Sequence, residues 1–251
     1  MKRILVVAGA LAVLCAADAS AAPGLDMAWG GCPLDPANPS NLSDLCTDSS
    51  APSKYFWLSF KAPAGITRFY GEEFGVDVQT DLPVLPDWWH LEAANPGLGS
   101  PAGCRDGDYA FVSTRNGAST ASCTDYWGPT NATGETVWLP GTGGENRTRM
   151  VGTFGLPGRS ATAITADVEY YVGSGFITMD HADLDPSTTH CNGCLVGTTL
   201  VFNYLLVSQP PGTPGGDILI TTANVRNVIT WQRGPVPVRR QTWGRIKSLY
   251  R

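Results

Sequence analysis

Residues 198–208, TTLVFNYLLVS, constrain the fold of this chain more than any other stretch. Gly197 stands before the run and Pro210-Pro211-Gly212 stands after it. A dense apolar run of this length, rich in Val, Leu, Phe and Tyr and closed by turn residues, predicts a strand buried on both faces. Two shorter β-rich runs follow at residues 217–222 and 227–232, so a strand–loop–strand–turn–strand meander is expected. A buried strand needs partners on both edges. The rest of the chain must supply them.

It has the material to do so. Residues 25–29, 55–61, 66–70, 74–79, 109–113, 136–139 and 147–154 read as short strands bounded by turn residues. Gly71 splits the pieces 66–70 and 74–79. Residues 168–179 form a longer strand interrupted by Gly173 and Gly175. Residues 82–91 carry Pro83 and Pro86, which confines them to an edge strand or an extended loop. No long window before the C-terminal tail shows the three- and four-residue spacing of an amphipathic helix. The expectation is an all-β chain: an antiparallel β-sandwich, jelly-roll-like, with long disulfide-stapled loops at its ends. A β-barrel is the alternative.

With 251 residues, 43% of them hydrophobic, the chain can bury a full core. Only 16% are charged, which argues against disorder and against a nucleic-acid-binding body. The 29 glycines and 19 prolines have no period, so they mark turns. Charge is divided unevenly. Residues 22–232 hold 9 Lys/Arg against 21 Asp/Glu, a net of −12, whereas residues 233–251 hold 6 basic residues and no acid.

Residues 1–21 read as a secretory signal. Lys2 and Arg3 precede the apolar stretch 4–17, and Ala19-Ser20-Ala21 fits the small-x-small cleavage rule. Cys15 follows Leu14, where a lipidation site needs a small residue. No other stretch is apolar and long enough for a membrane span. The expected protein is exported, to the extracellular space or periplasm, and has one domain at residues 22–232. Six cysteines follow the signal: Cys32, Cys46, Cys104, Cys123, Cys191 and Cys194. An even number in an oxidising compartment predicts disulfides. They fall in three close couples, and loop closure favours neighbours. The expected pairs are Cys32–Cys46, Cys104–Cys123 and Cys191–Cys194.

Residues 233–238 are a Pro-rich linker. In 242–251, TWGRIKSLYR, Trp243, Ile246, Leu249 and Tyr250 share one helical face among cationic neighbours. This short basic tail is expected to be helical or disordered and to stand apart from the sandwich core. It resembles a WG-x-IK-x-LYR ending on otherwise different secreted β-rich proteins of environmental bacteria. The run from Pro23 to Trp29 and the late Gly215–Ile218 segment resemble uncharacterised secreted proteins of the same kind. The resemblance implies export and no particular activity.

Candidate chemistry is spread thinly. Asp180, Asp183 and Asp185 are hard oxygen donors that could hold calcium, although the Gly and late Glu of an EF-hand are missing. A polar surface loop is the alternative. His181, His190, Cys191 and Cys194 are zinc-type ligands, but in an oxidising compartment the two thiols are expected to pair with each other instead. Glu72, Glu73, Asp77, Glu92, Glu135 and Glu169 offer carboxylates for glycoside hydrolysis, and spacing selects no pair among them. No G-x-S-x-G elbow and no phosphate-binding loop occurs, so no catalytic residue is assigned. Trp88, Trp89, Tyr126, Trp127 and Trp138 lie in Pro-, Gly- and Asn-rich surroundings where flat rings can stack on sugars. The alternative is that these rings cover the ends of the core. The sequence therefore points to an exported, non-catalytic binding or surface-structural module, with carbohydrate binding through exposed aromatics as its candidate mode. A glycan-active hydrolase using a carboxylate pair is one alternative, and a subunit of an extracellular assembly is another.

Overall fold

The computed structural model describes residues 23–94, 102–112, 123–127, 132–156, 161–182 and 191–233. The proposed signal and nearly all of the basic tail lie outside these residues. The described chain forms β1 (Gly24–Trp29), β2 (Asn41–Leu42), β3 (Lys54–Lys61), β4 (Arg68–Phe69), β5 (Gly71–Thr80), β6 (Tyr109–Val112) and β7 (Thr133–Pro140). It continues with β8 (Arg147–Gly155), β9 (Thr162–Ala163), β10 (Glu169–Ile177), β11 (Thr198–Ser208), β12 (Ile218–Ile220) and β13 (Val228–Trp231). The helical structure described is one 3-10 turn at Asp87–Trp89, in the Pro-rich stretch expected to be an edge strand or loop.

Two sheets make an antiparallel β-sandwich. The 4-stranded sheet has the order β1-β3-β10-β6. The 7-stranded sheet runs β2-β13-β11-β5-β8-β7, with β12 also paired to β11. All of these pairings are antiparallel except the short one between β13 and β2. Rings join the two sheets across the core. Phe74 of β5 lies 4.8 Å from Phe111 of β6, Trp29 of β1 lies 6.0 Å from Trp231 of β13, and Tyr109 of β6 meets Trp138 of β7 edge-on at 5.1 Å.

The apolar run at residues 198–208 is indeed the central strand, with β5 along one edge and β12 and β13 along the other. It is not buried on both faces. Leu200, Phe202, Leu205 and Val207 are fully buried, whereas Val201, Asn203, Tyr204 and Leu206 are only half-buried on the outer face. An apolar outer face does not by itself bring a covering layer, and here part of that layer is solvent. The register with β5 slips between Phe202 and Tyr204, a bulge that sets the Tyr204 ring over Gly75. A second bulge, between Tyr171 and Gly173, lets β10 continue through the glycines that suggested an interruption. At Gly175 the Phe56 ring occupies the place a side chain would need.

All six cysteines after the proposed signal are paired, but not with their neighbours. The bonds are Cys32–Cys123, Cys46–Cys194 and Cys104–Cys191, closing separations of 91, 148 and 87 residues. The neighbour pairing is therefore overturned. Loop-closure entropy rises only logarithmically, about 0.6 kcal/mol for each doubling of length, so it is a weak selector. Strand pairing has already brought distant loops together, with Cα separations of 5.8 to 6.0 Å within normal disulfide reach. Three disulfides place the protein in an oxidising environment. No described helix is long and apolar enough to cross a membrane.

Candidate functional site

The five aromatics expected to face a ligand all lie in the interior, at 0–8% exposure. Trp88 stacks on Trp231 at 6.3 Å, and the Arg105 guanidinium sits 3.5 Å from its ring on a desolvated site. Trp89 is wholly buried beside it. Tyr126 packs on Phe69 at 3.8 Å and donates its hydroxyl to Glu72. Trp127 donates Nε1–H to the Val172 carbonyl at 2.9 Å. Trp138 is closed off by Tyr109. A sugar-stacking platform built from these rings is thus ruled out by their burial. Four of them lie on a 3-10 turn and an irregular segment that pack onto the core and the fifth points inward from β7, because an aromatic ring gains more by burying its area than by exposure.

The proposed calcium set is described only at Asp180, which is exposed; Asp183 and Asp185 lie outside the described residues. Among the described residues no group of three His, Cys, Asp or Glu side chains could hold a metal. Cys191 and Cys194 are spent in disulfides, so neither serves zinc. His181 approaches Asp108 at 3.8 Å, and His190 lies outside the described residues.

The carboxylates separate into two kinds. Some are held by fixed partners. Asp77 receives both Nε and Nη2 of Arg149 at 2.5 and 3.0 Å and a further bond from Asn203. Glu92 holds Nδ1 of His90 at 2.7 Å, and that bond raises the imidazole above its ordinary pKa. Burial pushes the Glu72 carboxyl well above the usual range, and its partner Tyr126 is raised too, first by burial and then by Glu72. Glu169 accepts Ser59 Oγ at 2.5 Å. Asp26 of β1, which opposes Ser59, is also buried. No sequence signal singled out Asp26.

The others line the outer face of the 7-stranded sheet. Directly opposed residues in adjacent strands share a face. Leu206 of β11 opposes Glu73 of β5, Glu73 opposes Thr153 of β8, and Thr153 opposes Glu135 of β7. These side chains form a row across four strands. With Tyr70 and Ser208 they wall a concavity of about 620 Å³ at one end of the 7-stranded sheet. Gly71 and Gly155, in register with Glu73 and Thr153, add no side chain to its floor. Tyr204 OH donates to Glu73 Oε1 at 2.9 Å, which fixes one wall. Beyond the concavity, Val137 pairs with Val151 and Leu139 with Arg149 on the same outer face. Val137 and Leu139 are 45% and 42% exposed, and Leu219, which opposes Leu206 at the far end of the row, is 59% exposed. The outer face therefore joins an apolar patch, an acidic concavity and the braced Arg149–Asp77 pair. Sequence alternation in β7 and β8 implied an outward face, but which strands lie side by side was not readable from it.

No family model matches the chain, and no curated protein matches it. Among solved structures, it is similar to the second type II cohesin module from the adaptor ScaA scaffoldin of Acetivibrio cellulolyticus, including its long C-terminal linker. That likeness has 13% identity, covers 80% of each chain and has a TM-score of 0.27. A crystal structure of the same module is similar at 13% identity over 80% of this chain and 85% of its own, with a TM-score of 0.26. Likeness this slight carries no argument, and the function has to be read from the site.

Proposed function

We propose that this is an exported, non-catalytic binding module that engages a basic, partly apolar segment of another protein through the outer face of its 7-stranded sheet. The observation that supports this reading is the row Leu206–Glu73–Thr153–Glu135 beside the exposed Val137 and Leu139. Rigid strands hold the patch, and Tyr204 and Asp77 hold Glu73 and Arg149 in place before any partner arrives. Preorganised side chains lose less entropy on binding. Acidic walls attract Lys and Arg, and the apolar patch accepts their neighbours. Chain export and the three disulfides fit a surface that must persist outside the cell. The test is a peptide array of Lys/Arg-rich segments beside a glycan array, probed with the mature protein. Peptide binding that weakens about tenfold on Glu73→Gln/Glu135→Gln and falls with salt is expected. Glycan binding without peptide binding overturns the reading.

The same concavity carries a second reading. One strand separates Glu73 from Glu135, so their backbones stand about 10 Å apart across the groove. Inverting glycosidases hold two carboxyl groups about 6.5–9.5 Å apart, and side chains on backbones so spaced can reach that separation. Release of reducing sugar from polysaccharides, lost in both single Gln variants, would establish a hydrolase in place of the binding module.

A further inference from the structure

The two sheets meet at a seam where β1 bonds to the segment between β12 and β13. Leu25 N–H donates to the Thr222 carbonyl at 2.7 Å, Met27 N–H to Arg226 at 2.7 Å, and Asn224 N–H returns to Leu25 at 3.0 Å. Asp26 lies at the centre of this seam and is fully buried. Its carboxyl accepts Asn224 Nδ2 at 2.6 Å, Val225 N–H at 2.8 Å and Arg226 N–H at 2.7 Å. Across β3, Asp26 opposes Ser59, whose hydroxyl donates to Glu169 of β10 at 2.5 Å. The two buried carboxyls thus flank the same serine, and Glu169 Oε2 is left buried without a hydrogen-bond partner among the described residues.

We propose that a single proton shared between Asp26 and Glu169 latches this seam, and that losing it in mild alkali frees the 222–226 segment from β1. Three N–H donors converge on Asp26, so its carboxyl is the natural anion of the pair. Glu169 is then the natural carrier of the proton and donates to Asp26. When the proton leaves, two like charges face each other without water. Two fixed anions flanking one hydroxyl repel strongly in a buried site. The rest of the neighbourhood does not cancel this. Lys61 on β3 faces Glu169 but is also paired with Asp167 at 3.5 Å. Arg226 feels both Asp26 and Asp35, and its Nη2 is committed to the carbonyls of Pro33 and Asn38 at 2.9 and 2.6 Å. Burial first, and the Asp26 charge second, push Glu169 up to about 8. Burial likewise raises Asp26.

The latch is tested by hydrogen exchange on the full mature protein, following the backbone amides of Val225 and Arg226. Protection, corrected for the intrinsic pH dependence of exchange, is compared at about pH 6 and about pH 9, on either side of the pair's last proton. The expected result is at least a tenfold loss of protection at the higher pH, while β11 stays protected. In Glu169→Gln the amide donates permanently to Asp26, and the loss should vanish. Glu72→Gln removes the other buried, raised carboxyl and should leave the loss intact. A flat wild-type profile overturns the latch, and so does a loss that persists in Glu169→Gln. Should that variant fail to fold, the wild-type and Glu72→Gln profiles still decide it.

Discussion

Tyr204 lies against Gly75, and its ring fills the space that any side chain at residue 75 would need. The bulge at Asn203 brings the ring there, and the Tyr204 hydroxyl ends on Glu73. One glycine thus shapes both the central strand pair and a wall of the proposed binding groove. Gly75→Ala is expected to cost about 1–3 kcal/mol, as overpacking does, and to disorder the Glu73 wall. Denaturant unfolding measures the first effect and peptide binding the second. An unchanged midpoint would show that the ring has room to move.

Peptide mapping without reduction should recover Cys32–Cys123, Cys46–Cys194 and Cys104–Cys191. Replacing both members of the Cys104–Cys191 pair by Ala should cost about 2–5 kcal/mol, because the open chain regains the freedom of a long loop. Recovery of neighbour pairs would contradict the strand arrangement itself.

The buried indoles should behave as core residues. Trp127→Ala leaves a cavity and orphans the Val172 carbonyl, so it is expected to cost about 3–5 kcal/mol. Val137→Asp with Leu139→Asp, on the exposed face, should barely move the thermal midpoint while weakening peptide binding. If Trp127→Ala left stability intact and removed binding, the assignment of inside and outside would be reversed.

Stability should fall as pH rises. Glu169 binds its proton more tightly folded than unfolded, where its ordinary value is 4.5, and burial moves Glu72 in the same direction. Each therefore contributes stability that is complete below the unfolded value and is lost progressively upward. For Glu169 the loss ends near 8. Thermal midpoints from mild acid to mild alkali should decline in the wild type and decline less in Glu169→Gln. A midpoint that rises through this window would show that these carboxyls are ionised and stabilised in the fold.

Strand identity was legible locally. Runs of Val, Phe, Tyr and Leu between Gly and Pro predicted most of the strands, and residues 198–208 as the strand between two partners, because backbone sterics and turn chemistry act within a few residues. Six cysteines after a signal-like start predicted disulfides for the same local reason. What lies across from what was not legible. Whether Leu206 or Tyr204 meets solvent depends on the layer above β11, and Trp88 is buried because Trp231 and Arg105 come to it from far along the chain. Cys32 finds Cys123 and not Cys46 because strand pairing gathers the loops before chain length can choose between them. Nothing in the sequence joins Asp26 to Glu169 until β1, β3 and β10 lie side by side and bury both. Periodicity is a property of neighbours in sequence. Burial, pairing and the sharing of a proton are properties of the assembled sheets, and there the tertiary structure decides.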